Sequence, residues 1–218
     1  YAPSPVSAFL AATATKVSIY VLMRYFFTIF GATEVFDARA TGAILLGLSL
    51  AAMFIPAVVA IFQHDMKRLL AYSSVSQIGY ITLGISLDSV EGLMASAMHL
   101  FNHALTKGGL FLVLGGVVLR CGGAGFDRLA GLGQTMPVAA FAMVVGGLSL
   151  IGVPGTAGFI SKWYLVSAAM HDGQWWLVGA VLASSLLAVI YVWRFVEVAY
   201  FRAPPADHPA PGEAPLSM

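Results

Sequence analysis

The chain alternates long apolar stretches with short polar connections. Six of these stretches are long enough to cross a bilayer, whose hydrocarbon core takes about 20 helical residues. They cover residues 6–30, 41–63, 69–87, 92–119, 138–170 and 175–201. The fifth is too long for one straight crossing and contains Pro154 and Gly155, which predict a break in the helix. The pattern therefore predicts an all-α, polytopic transmembrane helix bundle with about six membrane segments, one of them broken.

Composition supports a membrane protein over the alternative, a large soluble protein with buried core helices. Hydrophobic residues make up 59% of the 218 residues and charged residues only 10%, where a soluble domain carries about 25% charged residues. The net charge of +1 provides no basic patch for a nucleic acid. The single cysteine, Cys121, excludes a disulfide within this sequence and a thiolate cluster.

The two ends of the sequence give further expectations. The chain begins at Tyr1 without a methionine and has no basic segment followed by a cleavage site, so we expect a piece of a longer protein with no signal peptide. Residues 1–202 form the predicted membrane part. Residues 203–218 are rich in proline and alanine and predict a loop or a tail. The basic connections at 64–68, at 120–128 and after Phe201 fall on one side, which the distribution of lysine and arginine predicts to be cytoplasmic.

Lys16 lies deep in the first apolar segment, where a charged side chain costs about 2.5–3.5 kcal/mol on insertion scales. Such residues persist when they face a hydrated interior, and they commonly carry ions. We interpret Lys16 as a group that takes up and releases a proton. The alternative is a structural lysine paired with a carboxylate on another helix.

His99, His103 and Lys107 are spaced i, i+4 and i+8 in the fourth segment, so they share one helix face. Asn102 and Thr106 add to the polar stripe. Histidine exchanges protons near neutral pH, which makes this face a candidate proton path. A zinc site is the competing hypothesis, but no acidic or cysteine partner has a suitable spacing. For His99, a structural role is also open.

Lys162 follows the predicted break at Pro154 and Gly155 within two turns. Broken backbone at membrane depth is tolerated where it lines protein or a wet cavity, and such breaks often mark a transport site. The alternative is a simple loop between two short helices. Arg194 and Glu197, three residues apart in the last segment, predict a structural ion pair or the inner end of an exit path.

Four motifs, in this order, resemble those of one known family. They are residues 2–8 (APSPVSA) with Lys16, residues 65–80 (DMKRLLAYSSVSQIGY), residues 99–107 (HLFNHALTK), and residues 152–154 (GVP) with 158–162 (GFISK). The family is that of the proton-conducting antiporter-like subunits of Mrp cation/proton antiporters and respiratory complex I. The resemblance covers residues 1–202. It implies that these residues are the last helix of a first five-helix repeat and a complete second repeat.

The resemblance also implies a role for each polar site. Protons would pass from Lys16 through His103 and Lys107 to Lys162, with His99 as a further candidate. Lysine at 162, followed by Trp163, is more similar to the Mrp D-type subunit than to the complex I subunit with glutamate there, although some complex I subunits also have lysine.

The implied setting is the cell inner (plasma) membrane. The implied partners are other membrane subunits of a multi-subunit antiporter or redox complex, and the transported ions are protons with Na⁺ or K⁺. No GxGxxG motif or cysteine set is present, so we expect no cofactor, no metal and no catalytic centre in this sequence. NADH oxidation, if the complex performs it, would belong to partner subunits. Two other functions stay open: a structural membrane anchor, and a transporter of an organic solute with a cavity near Pro154.

Overall fold

A computed structural model describes residues 4–31, 39–204 and 212, and the regular structure within them is helical. The α-helices are α1 (Ser4–Phe9), α2 (Thr15–Arg24), α3 (Arg39–Ile61), α4 (Met66–Ser86), α5 (Val90–Cys121), α6 (Leu132–Thr135), α7 (Pro137–Ile151), α8 (Ala157–His171) and α9 (Trp175–Val196). A π-helical turn, Leu10–Ala14, joins α1 to α2, and two more, Tyr25–Ile29 and Glu197–Phe201, continue α2 and α9.

The prediction of a polytopic helical membrane bundle is confirmed. Among the described residues, four helical stretches are long and apolar enough to cross a membrane: Val6–Ile29, Thr41–Ile61, Val90–Cys121 and Trp175–Phe201. The break predicted in the fifth segment is present, because α7 ends at Ile151 and α8 starts at Ala157. Helix α4 is less apolar because it contains several polar residues, among them Ser73 and Gln77. A membrane helix tolerates them here because they are buried inside the bundle and do not face lipid.

The centre of the bundle is α5, which packs against α1, α4, α7 and α8. Ser89 caps its first turn by accepting a hydrogen bond from the N–H of Gly92. Gly122 ends it in the left-handed conformation, with φ +74°. Because neighbours surround α5, the stripe of ionisable residues on it is enclosed by other helices.

Pro56 lies inside α3 and has no N–H to donate. One turn before it, the carbonyl of Met53 accepts hydrogen bonds from Ser76 Oγ of α4 at 2.9 Å and from Ser184 Oγ of α9 at 3.3 Å. Hydroxyls of neighbouring helices commonly satisfy the backbone near a proline in membrane helices. These bonds hold α3 against both α4 and α9.

A polar layer divides the hydrophobic core across the middle of the helices. One apolar cluster includes Leu70 of α4, Leu110 of α5 and Ala188 of α9. A second cluster, toward the opposite ends of the same helices, includes Tyr80, Ala95 and Val181. The buried polar side chains on these helices between the two clusters are Ser73, Ser74, Ser76 and Gln77 of α4, Ser96, His99, His103 and Lys107 of α5, and Ser184 of α9. A polar layer in this position lies near the middle of the membrane.

The basic connections meet on one side of the bundle, as predicted. The N–H of Met66 donates to the carbonyl of Ala124 at 2.8 Å, and the N–H of Phe126 donates to the carbonyl of His64 at 3.1 Å. The guanidinium of Arg194 lies 5.1 Å from the centre of the Phe126 ring. The loops that follow α3 and α5, together with the last turns of α9, therefore form one cap over the first apolar cluster.

The predicted ion pair between Arg194 and Glu197 is wrong. Glu197 instead binds Arg202 at 2.9 Å. The physical reason is the π-helical turn Glu197–Phe201, which changes the register and brings a residue five positions onward to the same side. Most of the predicted loop or tail at 203–218 lies outside the described residues.

Candidate functional site

All five ionisable residues predicted for the site are buried. The exposed fraction is 4% for Lys16, 3% for His99 and His103, 0% for Lys107 and 6% for Lys162. Within the described ranges, the ion pairs are at the surface, between Arg128 and Asp127 and between Arg202 and Glu197. The buried lysines accordingly bind carbonyl and hydroxyl oxygens there instead of carboxylates.

Lys107 is held by α4. Its ammonium donates to the carbonyl of Leu70 at 2.9 Å and to Ser73 Oγ at 2.6 Å. Both acceptors are neutral, so the hydrogen bonds do not cancel the charge of a protonated lysine. Such a group can hold a proton and also release it without breaking an ion pair.

His99 has hydrogen-bond partners on both ring nitrogens. Nε2 lies 3.0 Å from Gln77 Oε1, and Nδ1 lies 2.8 Å from Ser161 Oγ. The amide group of Gln77 also donates from Nε2 to the carbonyl of Leu150 at 3.2 Å, which leaves its Oε1 as the acceptor toward His99. Nε2 of His99 is therefore the donor, and Nδ1 can accept from the Ser161 hydroxyl in the neutral ring or donate to it in the charged ring.

Lys162 reaches back from α8 to the end of α7. Its ammonium donates to the carbonyls of Leu150 and Ile151 and to Ser185 Oγ, each at 3.0 Å. It also lies 4.3 Å from the centre of the Tyr80 ring. The break positions the two carbonyls, since a helix that ends leaves its last carbonyls without intrahelical partners.

The predicted break residues act on the backbone and do not contact the ammonium themselves. Pro154 and Gly155 are exposed in the connection, where Gly155 adopts φ +91°. Thr156 then starts α8 by accepting a hydrogen bond from the N–H of Phe159. The lysine is thus bound by the last carbonyls of α7, which precede the proline in the chain.

His103 differs from its neighbours because neither ring nitrogen has a hydrogen-bond partner among the described residues, although both are buried. The ring stacks on His99, with centroids 6.1 Å apart and planes 12° apart. On α5 it lies one helical turn from His99 on one side and one turn from Lys107 on the other. His103 is therefore a buried imidazole without a described partner between two hydrogen-bonded groups, His99 and Lys107.

Lys16 lies at the start of α2, after the π-helical turn Leu10–Ala14. Its ammonium donates to the carbonyl of Ala11, which belongs to that turn. π-Helical turns are rare overall, and those that occur are often located at functional sites. Ala12 of the same turn packs against α5 beside Lys107, since a Cβ at Gly108 would lie 3.4 Å from Cβ of Ala12. The turn that holds the Lys16 ammonium therefore lies at the level of Lys107.

Several polar partners in the layer were not predicted from the sequence. Gln77, Ser161 and Ser185 make the bonds described above, and the hydroxyl of Tyr191 is buried with no hydrogen-bond partner among the described residues. Their only signal in the sequence is a polar atom in an apolar segment. In the parts of the chain that the structure describes, no group of three or more His, Cys, Asp or Glu side chains is placed to hold a metal.

Comparison with known proteins identifies the family. The model of a family described as NADH:quinone oxidoreductase/Mrp antiporter, transmembrane, matches residues 1–188. The chain belongs to this family. Membership confirms the predicted resemblance and, with the apolar helices, the predicted location in the cell membrane.

Relatives come from both branches of the family. NADH-quinone oxidoreductase subunit N of Desulforudis audaxviator is 40% identical over 216 residues, which are 97% of this chain and 43% of the relative. A probable K⁺/H⁺ antiporter subunit of Rhizobium meliloti is 36% identical over 226 residues, covering 100% of this chain and 22% of the relative. The structure of the Mrp complex from Dietzia sp. contains a similar chain, with a TM-score of 0.86 and 30% identity over 99% of this chain and 40% of that one. This chain therefore spans less than half the length of each of them.

Proposed function

We propose that this chain translocates protons along the polar layer, from Lys16 through His103 and Lys107 to Lys162, with His99 beside the path. The observation that carries the proposal is His103, whose buried ring nitrogens have no partner among the described residues and which lies one helical turn from Lys107 on α5. A buried polar group without a partner costs about 1–3 kcal/mol, and water commonly supplies the missing bonds. We infer that water bound at His103 connects the lysines.

The energetics of the layer favour transport over a purely structural role. A structural anchor gains most from lysines that are paired with carboxylates, because an unpaired buried charge is destabilising. Here the described contacts of Lys107 and Lys162 are neutral oxygens. A buried lysine that exchanges its proton is charged only part of the time, so most of the destabilisation by an unpaired buried charge is avoided.

We propose further that the chain works inside a redox complex of the NADH:quinone oxidoreductase type, together with other membrane subunits. The 40% identity to a subunit N supports this assignment. In such a complex, electron transfer in partner subunits would supply the energy. The five membrane units from α3 to α9, one of them broken between α7 and α8, agree with a complete second repeat.

Monovalent cation antiport in an Mrp-type complex is the second candidate. Two observations support it: the 36% identity to a probable K⁺/H⁺ antiporter protein, and Lys162 itself, which precedes Trp163. Both candidates use the same proton path and differ in the driving ion or reaction. Proton movement driven by NADH oxidation would support the redox complex, and proton movement driven by a gradient of Na⁺ or K⁺ would support the antiporter.

The test uses the complete subunit within its complex, reconstituted in vesicles with a pH-sensitive dye. Lys107→Met and Lys162→Met keep much of the side-chain volume and remove the exchangeable proton, so each should lower proton translocation at least about tenfold. Lys67→Met, at the start of α4 on the loop side, is the control and should leave the rate unchanged. Undiminished translocation in both layer variants, with the complex assembled, would reject the proposed path.

A further inference from the structure

The ammonium of Lys162 lies in a cradle made of four groups from three helices. The carbonyls of Leu150 and Ile151 come from the end of α7, Ser185 Oγ from α9, and the ring face of Tyr80 from α4. We use the name cation cradle for these four groups. None of them carries a charge of its own.

The cation cradle has the chemistry of a site for a bare monovalent cation. Carbonyl and hydroxyl oxygens replace the hydration shell of alkali cations, and the ring face of an aromatic side chain attracts them. The last carbonyls of a helix also carry part of the negative end of its dipole. A divalent cation, in contrast, usually requires carboxylate ligands, and the cradle has none.

The backbone around the cradle is shaped to the lysine chain. Gly152, at φ +88°, follows the two carbonyls, and a Cβ atom at that position would lie 2.9 Å from Cδ of Lys162. The volume occupied by the lysine chain is thus bounded by backbone on one side and by α9 on the other. Ser185 is half-buried, so the cradle lies close to the side of the bundle that α9 forms.

We propose that the cation cradle is a binding site for a monovalent cation of the size of Na⁺ or K⁺, for which the ammonium of Lys162 is the tethered occupant. When an alkali cation enters, the Lys162 ammonium loses a proton to the polar layer and the neutral amine withdraws. The charge in the cradle stays at one, with the cation bound and the proton released. Proton and cation would compete for one site, which deepens the proposed function and rests on it.

The test removes the tether and supplies free cations. In the complete subunit within its complex, Lys162→Ala should empty the cradle, and Lys162→Met should keep it filled with an uncharged chain. Thermal unfolding is measured in chloride salts of Na⁺, K⁺, methylammonium and choline at equal ionic strength. We expect Na⁺, K⁺ or methylammonium to raise the midpoint of Lys162→Ala by about 3 °C or more over choline, in a saturable manner.

Matched variants identify the cradle as the source of the effect. Lys162→Met should respond equally to all four salts. Adding Ser185→Ala to Lys162→Ala removes one oxygen ligand and should raise the cation concentration at half-saturation several-fold. The proposal is overturned if Lys162→Ala responds to the small cations as it does to choline. It is also overturned if no folded complex with Lys162→Ala can be obtained in any of these salts, because a free cation then fails to replace the ammonium.

The cation-binding test and the proton-translocation test can give different outcomes, so the two proposals can be judged separately. A cation effect in Lys162→Ala together with full proton translocation in Lys107→Met would reject the path and keep the site. The reverse result, no cation effect with translocation lost in Lys107→Met, would keep the path and reject the site.

Discussion

Gln77 and Lys162 donate hydrogen bonds to the same acceptor, the carbonyl oxygen of Leu150, at 3.2 Å and 3.0 Å. Gln77 also accepts from His99. One carbonyl at the end of α7 therefore connects the histidine of α5 to the lysine of α8. Because the two donors share one oxygen, a change in the charge of Lys162 alters the bond that holds the Gln77 amide, and through it the orientation of His99.

Replacing Gln77 tests this connection. Gln77→Met keeps the length of the side chain but leaves the N–H of His99 without an acceptor, so we expect a loss of about 1–3 kcal/mol in the free energy of unfolding. We also expect slower proton translocation, since His99 is no longer held. Unfolding in detergent and proton movement in vesicles measure the two effects.

Gln134 is the matched control, because its side chain is exposed at the short helix α6. Gln134→Met should change the free energy of unfolding by less than about 0.5 kcal/mol. Equal effects of the two substitutions would show that the hydrogen bonds of Gln77 do not matter.

Substitution of His99 and of His103 by leucine should reduce the stability of the protein to different extents. His99→Leu leaves the Gln77 acceptor unpaired and removes one of the two hydrogen bonds of the Ser161 hydroxyl, which keeps its bond to the carbonyl of Gly158, and it should cost about 1–3 kcal/mol of stability. His103→Leu removes no hydrogen bond to a described residue and should cost less than about 1 kcal/mol, yet it should stop proton translocation. The comparison uses unfolding and translocation of both variants. A large loss of stability in His103→Leu with normal translocation would contradict the assignment of the path.

The sequence allowed prediction of the charged members of the polar layer because a charge in a membrane segment is costly and therefore stands out. Lys16, His103, Lys107 and Lys162 stood out in this way, and each of them is buried in the structure. The helix break was also predictable, since proline and adjacent glycines end a helix. These signals depend on single residue types, which a sequence displays directly.

The neutral partners could not be predicted, because a serine or glutamine in a membrane helix has a partner available within its own helix. Ser74, for example, donates to the carbonyl of Leu70 four residues earlier, whereas Ser76 donates to Met53 on another helix. The spacing of the residues does not separate these outcomes. The ion pair of Glu197 was assigned to the wrong arginine for a related reason, since nothing in the local pattern predicts a π-helical turn.

Gly158 should be the glycine least able to accept a side chain in this part of the fold. A Cβ at Gly158 would overlap the carbonyl oxygen of Ser149, which is backbone of α7 and cannot move freely. Gly158→Ala should separate α8 from α7 and destabilise the protein by about 3 kcal/mol or more. Gly109→Ala is the control, because nothing lies within 4 Å of its Cβ position. Similar unfolding midpoints for both variants would contradict the close packing at the break.

Ser76 and Ser184 share the carbonyl of Met53 as an acceptor, and this sets the sign of their coupling. Either single change to alanine leaves the carbonyl with one hydroxyl and should cost about 0.5–1.5 kcal/mol, the net value of one hydrogen bond. Either hydroxyl alone can partly make up for the loss of the other, whereas the double change leaves the Met53 carbonyl with only its helical N–H partner, so the double cost should exceed the sum of the single costs by about 1 kcal/mol. A double-mutant cycle of unfolding free energies measures the excess. Ser18, exposed on α2 and bonded within its own helix, provides the control partner for Ser76, and that pair should be additive. Additivity of Ser76 and Ser184 as well would mean that water replaces the lost hydroxyls at Met53, and the hydrogen bonds to this carbonyl would then not hold α3 to its neighbours.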